Sequence, residues 1–179
     1  MPTDRIIILV DGSNLYHYLR ELKLTGLAEF DYKAFAQFLA RGRIVVSSTY
    51  YIGKVRSHGD EKGEELRRWQ QRLVAHLQNS GLHVEYGHML EHNGVFQEKG
   101  VDVHIAVDLV KGAYEDRYDT AVLVSSDTDL IPAVHAVRGK QKQVEYIGFA
   151  HRPSFGLMKN VDLTTTLRQE DLTTFLKKP

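Results

Sequence analysis

Ile6-Ile7-Ile8-Leu9-Val10-Asp11-Gly12-Ser13-Asn14 decides how the chain is read. Five successive aliphatic residues that end in an acid, a glycine and two short polar groups describe a strand buried on both faces and stopped by a tight turn. Such strands belong to parallel sheets, and in open parallel sheets ligands collect where strands end and helices begin. Here that edge opens with a carboxylate.

The rest of the chain repeats this alternation. Leu15, Tyr18, Leu19 and Leu22 follow at helical spacing with Ser13 as the expected N-cap, which puts Asn14 in the first turn beside Asp11. Asp31 caps a second expected helix carrying Phe35, Phe38 and Leu39 and ending near Gly42. Arg43 to Ile52 is rich in β-branched and aromatic residues and reads as a second strand. After a polar loop, Leu66, Trp69, Leu73, Val74 and Leu77 share one helix face, and Arg67, Arg68, Arg72 and His76 lie on the other. That basic face is either an ordinary solvated surface or, with Lys54 and Arg56 nearby, a phosphate contact. Trp69, on the apolar stripe, reads as core.

Leu82 to Met89 is a third expected strand, and Asn93-Gly94 between Met89-Leu90 and Val95-Phe96 is a strong hairpin signal. Thr120 to Ser126 is another, stopping at Ser125-Ser126-Asp127-Thr128-Asp129 before a helix whose first turn holds Pro132. Gln143 to Phe149 is read as the last strand, and Ala150-His151-Arg152 follows it toward the same edge. Short helices are expected over Ser154 to Lys159 and Arg168 to Lys177. The pattern predicts a three-layer α/β domain, Rossmann-like, with a central, mainly parallel sheet flanked by helices. The whole chain, 1–179, is expected to be one such domain, with its core over about 5–163 and a C-terminal helix over about 168–177.

Composition narrows the function classes. Lys plus Arg and Asp plus Glu both total 23, so bulk charge does not announce a nucleic-acid binder and any basic surface must be local. The absence of cysteine excludes disulfides, thiolate metal sites and thiol nucleophiles and fits a reducing compartment, so the cytoplasm is the expected location. No stretch has the roughly 18 apolar residues of a membrane span.

At about 100° per residue, Ile105, Ala106, Leu109, Val110 and Ala113 form the buried stripe of the helix that begins after Lys99-Gly100, and Asp102 points near its middle. A carboxylate aimed inward needs a proton, a partner or a metal, unless it serves only the helix start. Asp108 projects about 120° away, as a solvated acid or a supporting group. The repeated arrangement of apolar strand, Asp and helix would set Asp11 and Asp127 across one crevice, with Asp129 either a further ligand or a helix-start acid. Crowded carboxylates repel unless a cation neutralises them, and an all-oxygen set favours Mg²⁺ or Mn²⁺ over zinc. Such an ion supports phosphodiester hydrolysis, with Asn14, Ser125 or Ser126 orienting water or phosphate.

Val10-Asp11-Gly12-Ser13-Asn14-Leu15, Lys99-Gly100-Val101-Asp102 and Val124-Ser125-Ser126-Asp127-Thr128-Asp129-Leu130, in that order, resemble the successive signatures of NYN domains. These are part of the PIN-like nuclease superfamily and include the bacterial LabA-like proteins. Ser126 stands where many relatives carry glycine. The resemblance implies a PIN-like fold and a metal-dependent ribonuclease site at Asp11, Asn14, Asp102, Asp127 and Asp129, with Asp11, Asp102, Asp127 and Asp129 expected as the metal ligands and Asp11 the first of them, Lys99 facing the substrate and single-stranded RNA as the partner. Ser13, Ser125, Ser126, Lys54, Arg56, Arg67, Arg68 and Arg72 are the further candidates for substrate contact. A homo-oligomer is compatible with this reading. A second function class is a non-catalytic RNA-binding or regulatory protein of LabA-like type, toward which the neutral net charge leans. A dinucleotide-binding protein fits poorly, because Asp11-Gly12-Ser13-Asn14 lacks the glycine pattern that seats a pyrophosphate.

Overall fold

The computed structural model describes residues 4–24, 28–55, 61–92 and 95–176. Its aliphatic runs become strands β1 (Arg5–Asp11), β2 (Ile44–Gly53), β3 (His83–His92), β5 (Thr120–Val124), β6 (Gln143–Phe149) and β7 (Leu163–Leu167), with β4 (Val95–Lys99) pairing antiparallel to β3. The sheet order is β4-β3-β2-β1-β5-β6-β7, and every neighbouring pair except β3 with β4 is parallel. The three-layer, mainly parallel architecture expected from the alternation is the one observed. Successive elements step outward from β1 to β2 on one side and from β5 to β6 on the other, so the junction of β1 and β5 is the topological switch point.

Strand alternation assigns the two faces. Ile6, Ile8 and Val10 pack with Leu15 and Leu19 of α1 (Gly12–Glu21), Phe35 and Leu39 of α2 (Tyr32–Ala40) and Leu73 and Leu77 of α3 (Glu61–Asn79). Ile7 and Leu9 point the other way, against Ile105 and Leu109 of α4 (Val101–Tyr114) and Val134 and Val137 of α5 (Ile131–Gly139). The short helices α6 (Phe155–Met158) and α7 (Gln169–Thr173) add Leu157 to the second face and Leu172 to the first.

Several boundaries differ from expectation. The N-cap of α1 is Asp11, not Ser13, because Asp11 keeps extended backbone angles and its side chain takes the Asn14 amide. Gln143 to Phe149 is not the last strand: β7, Leu-Thr-Thr-Thr-Leu, continues the sheet beyond β6. Its β-branched threonines favour an extended chain, but on an edge strand polar residues mask the hydrophobic signal. The terminal helix is shorter than 168–177, ending at Thr173. The Asn93-Gly94 turn lies outside the described residues, although His92 and Val95 pair on either side of it. Among the described residues, no helix is long and apolar enough to cross a membrane.

Candidate metal centre

Asp11 is the structural hub of the carboxyl edge. It is the last residue of β1 and is almost fully buried, 4% exposed. Its Oδ1 accepts from the Asn14 amide at 3.0 Å, and its Oδ2 accepts from Asn14 Nδ2 at 2.6 Å and from Ser125 Oγ at 3.0 Å. Asn14 Oδ1 in turn accepts from the Ser126 amide at 3.3 Å, and Ser125 Oγ accepts from the Asp127 amide at 3.2 Å. This network ties the first turn of α1 to the strand stop after β5. Burial pushes the Asp11 carboxyl above the usual carboxylate range; the bonds from Asn14 and Ser125 oppose that shift, and the nearby charge of Asp127 adds to it. Gly12 is required by space: a Cβ there would lie 2.3 Å from the Tyr50 ring and 2.6 Å from the Tyr51 carbonyl oxygen.

Asp102, Asp127 and Asp129 converge beside this hub, each offering one oxygen, and the three oxygens lie within 4.8 Å of one another. Asp102 comes from the first turn of α4, which starts at Gly100 in a left-handed conformation, φ 86°, with no side-chain cap. Asp127 caps a short 3-10 turn, Thr128–Leu130, and its Oδ1 accepts from the Asp129 amide at 2.9 Å. Asp102 and Asp127 are half-buried and Asp129 is exposed. Among the described residues, none of the three acids forms a salt bridge with a lysine or arginine.

A cleft of about 420 Å³ opens next to Asp127, lined by residues of α1, of the stop after β5 and of the loop after β6. Asn14, His17, Tyr18 and Glu21 contribute from α1, and Arg152, Pro153 and Ser154 from the loop. His17, Tyr18 and Glu21 were not among the expected site residues. Their signal was their spacing after Asn14, which returns to one helix face at every third or fourth position. Tyr18 stacks on Phe149 with ring centroids 4.3 Å apart, and its hydroxyl reaches the Arg152 carbonyl at 3.4 Å. The buried Tyr146 hydroxyl accepts from the Ser154 amide at 3.0 Å and lies 3.0 Å from Ser126 Oγ, so it fixes both cleft walls.

The sequence matches the NYN domain family over residues 5–167. The chain belongs to the NYN domain family. No curated protein matches it. Of solved structures, this NYN domain resembles a protein of unknown function, VPA0982, from Vibrio parahaemolyticus RIMD 2210633, with a TM-score of 0.70 and 24% identity over 98% of this chain and 97% of that one. It also aligns with the T5 5'-exonuclease bound to zinc at a TM-score of 0.39 and 17% identity, over 72% of this chain and 52% of that one.

The remaining expected residues of the NYN domain divide by position. Ser13 and Ser126 line the cleft, while Ser125 is fully buried and serves Asp11. Asp108 stands apart from the three acids and accepts from the Tyr51 hydroxyl at 2.7 Å. Arg67 is paired with Glu64 one helical turn away at 3.0 Å, the ordinary behaviour of a solvated helix face. Arg68, Arg72 and Lys54 are exposed. Arg56 lies outside the described residues, as does the side chain of Lys99, whose backbone ends β4. Trp69 is half-buried against the core, with the Tyr16 ring edge-on at 6.3 Å. An all-carboxylate donor set, which among the described residues has no ammonium or guanidinium paired to it, suits a hard divalent cation. Asp102, Asp127 and Asp129 could hold one.

Proposed function

We propose that this NYN domain is a metal-dependent endoribonuclease that hydrolyses phosphodiester bonds of single-stranded RNA, with Mg²⁺ or Mn²⁺ held by Asp102, Asp127 and Asp129. The observation that carries the reading is the approach of three carboxylate oxygens within 4.8 Å at the β1/β5 switch point. Three such charges repel in the absence of a cation, so their juxtaposition supports a cation site. When bound, the ion would lower the pKa of a water and offset charge developing on the phosphate.

The chain's own residues take distinct parts in this reading. Asp11 is a positioning residue: both its oxygens are occupied by Asn14 and Ser125, and through Ser125 it fixes the amide of Asp127. Asn14 holds Ser126, whose hydroxyl borders the cleft where a substrate phosphate enters. The cleft, at the small end of ligand-pocket volumes, admits a nucleotide unit rather than a duplex.

The test is cleavage of a labelled single-stranded RNA by the purified chain in Mg²⁺ or Mn²⁺. Asp127→Asn is expected to abolish cleavage while leaving the circular dichroism spectrum unchanged. Equal cleavage by Asp127→Asn, or cleavage in excess EDTA, would overturn the assignment. A second reading, an RNA-binding or regulatory protein without catalysis, draws on the neutral net charge. Firm RNA binding in Ca²⁺ with no cleavage in any divalent metal would select it.

A further inference from the structure

The cleft contains one feature that the acid cluster does not use: a guanidinium held by a single contact. Among the described residues that line the cleft, Arg152 is the only lysine or arginine, and its side chain is 70% exposed. Among the described residues its guanidinium makes one hydrogen bond, from Nη1 to Glu21 Oε1 at 2.9 Å, leaving most of its five donors available. Its backbone, by contrast, is fixed. The Arg152 amide donates to the Phe149 carbonyl at 3.0 Å, its carbonyl is met by the Tyr18 hydroxyl, and Pro153 follows with a restricted φ. The side chain can move while its anchor stays.

We propose that Arg152 is the phosphate-binding cation of this cleft and that Glu21 is its resident counter-anion, displaced when a phosphate of the nucleic acid enters. The choice of single-stranded RNA as the ligand rests on the nuclease reading; the phosphate chemistry does not. A cleft bordered by Asp127 and Glu21 repels a phosphodiester unless a cation compensates, and Arg152 is the cation on its wall. The pairing that must break is between exposed groups and is correspondingly weak, whereas a guanidinium facing phosphate forms a bidentate, charge-assisted contact. Displacement does not orphan Glu21, because its other oxygen lies 3.1 Å from His151 Nε2. Glu21 is two helical turns from Asn14 along α1, about 10 Å, so the pair sits at the other end of the α1 wall from Asn14.

A double-mutant cycle tests this, read as anisotropy of a labelled oligouridylate in Ca²⁺ so that cleavage does not intervene. Arg152→Ala is expected to weaken binding about tenfold and to reduce the slope of log affinity against log salt by about 0.7, the share of one single-strand phosphate contact. Arg152→Lys restores part of both. Glu21→Gln, which frees the guanidinium, tightens binding about threefold, and this gain vanishes in the Arg152→Ala background. A Glu21→Gln variant that binds more weakly than wild type, or keeps its gain without Arg152, overturns the proposal and makes the pair a latch between α1 and the loop after β6. If wild type binds no RNA, the four proteins are titrated with adenosine monophosphate. The same cycle then upholds the phosphate cleft while the nuclease reading falls, and a flat cycle overturns both. Metal-dependent RNA cleavage lost in Asp127→Asn, with a flat cycle, overturns the Arg152 assignment alone.

Discussion

Replacing Asp129 by asparagine separates a metal ligand from a helix-start acid, because the two roles predict opposite signs. Asp129 has the oxygens of Asp102 and Asp127 within 4.8 Å. At that separation two unit charges repel by about 0.9 kcal/mol in a water-like dielectric, so the two pairs together cost about 1.7 kcal/mol. Against this stands the benefit of an acid at a helix start, about 0.3 to 1 kcal/mol for an exposed group. Repulsion wins by about 1 kcal/mol, so in chelator and low salt Asp129→Asn is expected to melt about 2 to 4 °C above wild type. The backbone contribution is retained, since it is the Asp129 amide that donates to Asp127. Near 1 M salt the Debye length, about 3 Å, falls below the separation and the difference disappears. Divalent metal reverses the order. A ligand at 100 times its Kd stabilises the native state by about 2.7 kcal/mol, and the variant, with one ligand charge removed, gains less. Differential scanning calorimetry with EDTA and then with Mg²⁺ reads both effects. A variant that melts below wild type in EDTA and responds equally to Mg²⁺ would refute the shared site and leave Asp129 as a helix-start acid.

Other perturbations probe the frame that holds the site. Gly12→Ala drives a Cβ to 2.3 Å from the Tyr50 ring and 2.6 Å from a backbone oxygen that cannot give way, so urea unfolding should show a loss of about 3 kcal/mol. Glu145 is fully buried between Arg43 at 2.9 Å and Arg41 at 3.2 Å; Glu145→Gln removes the buried charge both share, leaving Arg43 with only the longer pair to Asp4 at 3.5 Å, and should cost about 3 kcal/mol by the same measurement. Alkaline pH should unfold the protein, because burial pushes the hydroxyls of Tyr50, Tyr51 and Tyr118 well above their ordinary range. A raised folded-state pKa means that this stability is fully present below the unfolded tyrosine pKa of about 10 and declines above it. Phenolate absorbance should therefore rise together with the loss of helical circular dichroism, and independent phenolate titration in a folded chain would count against the burial argument.

Much of this architecture was legible because the sheet is buried on both faces. Aliphatic runs such as Ile6–Val10 and Ala121–Val124 cannot be satisfied on a half-exposed sheet, and their alternation with amphipathic helices leaves a parallel α/β arrangement. The helix that carries Asp102 was legible too, although its buried stripe runs through Val101, Ile105, Leu109, Gly112 and Ala113 rather than through Ala106 and Val110, which leaves Asp102 half-buried. What could not be read was tertiary. Glu21 and Arg152 are 131 residues apart, and nothing local marks either as the other's partner. Tyr146 lies within a strand that reads as core, yet its hydroxyl braces the cleft. The edge strand β7 was hidden because threonines at a sheet edge satisfy solvent and sheet at once.

Inter-strand register explains why two similar strand stops do different work. From sequence, Asp11 and Asp127 both follow an aliphatic run and precede a helix, which invites equal roles. The register between β1 and β5 pairs Val10 with Val124, so Asp11 lies level with Ser125 and Asp127 comes two residues later. At about 3.3 Å per extended residue, that offset carries Asp127 several ångströms beyond the edge. Asp11 remains inside the sheet, where burial makes an unpaired carboxylate costly and three donors from Asn14 and Ser125 saturate it. Asp127, past the edge, has room to approach Asp102 and Asp129. Sliding β5 by two residues against β1 would exchange these environments, placing the exposed acid where the buried one is needed. The Ser125-Ser126 pair therefore acts as a spacer whose length matters: deleting one serine should remove metal-induced stabilisation, which calorimetry with and without Mg²⁺ would detect, while substituting Ser126 by glycine at constant length should preserve it.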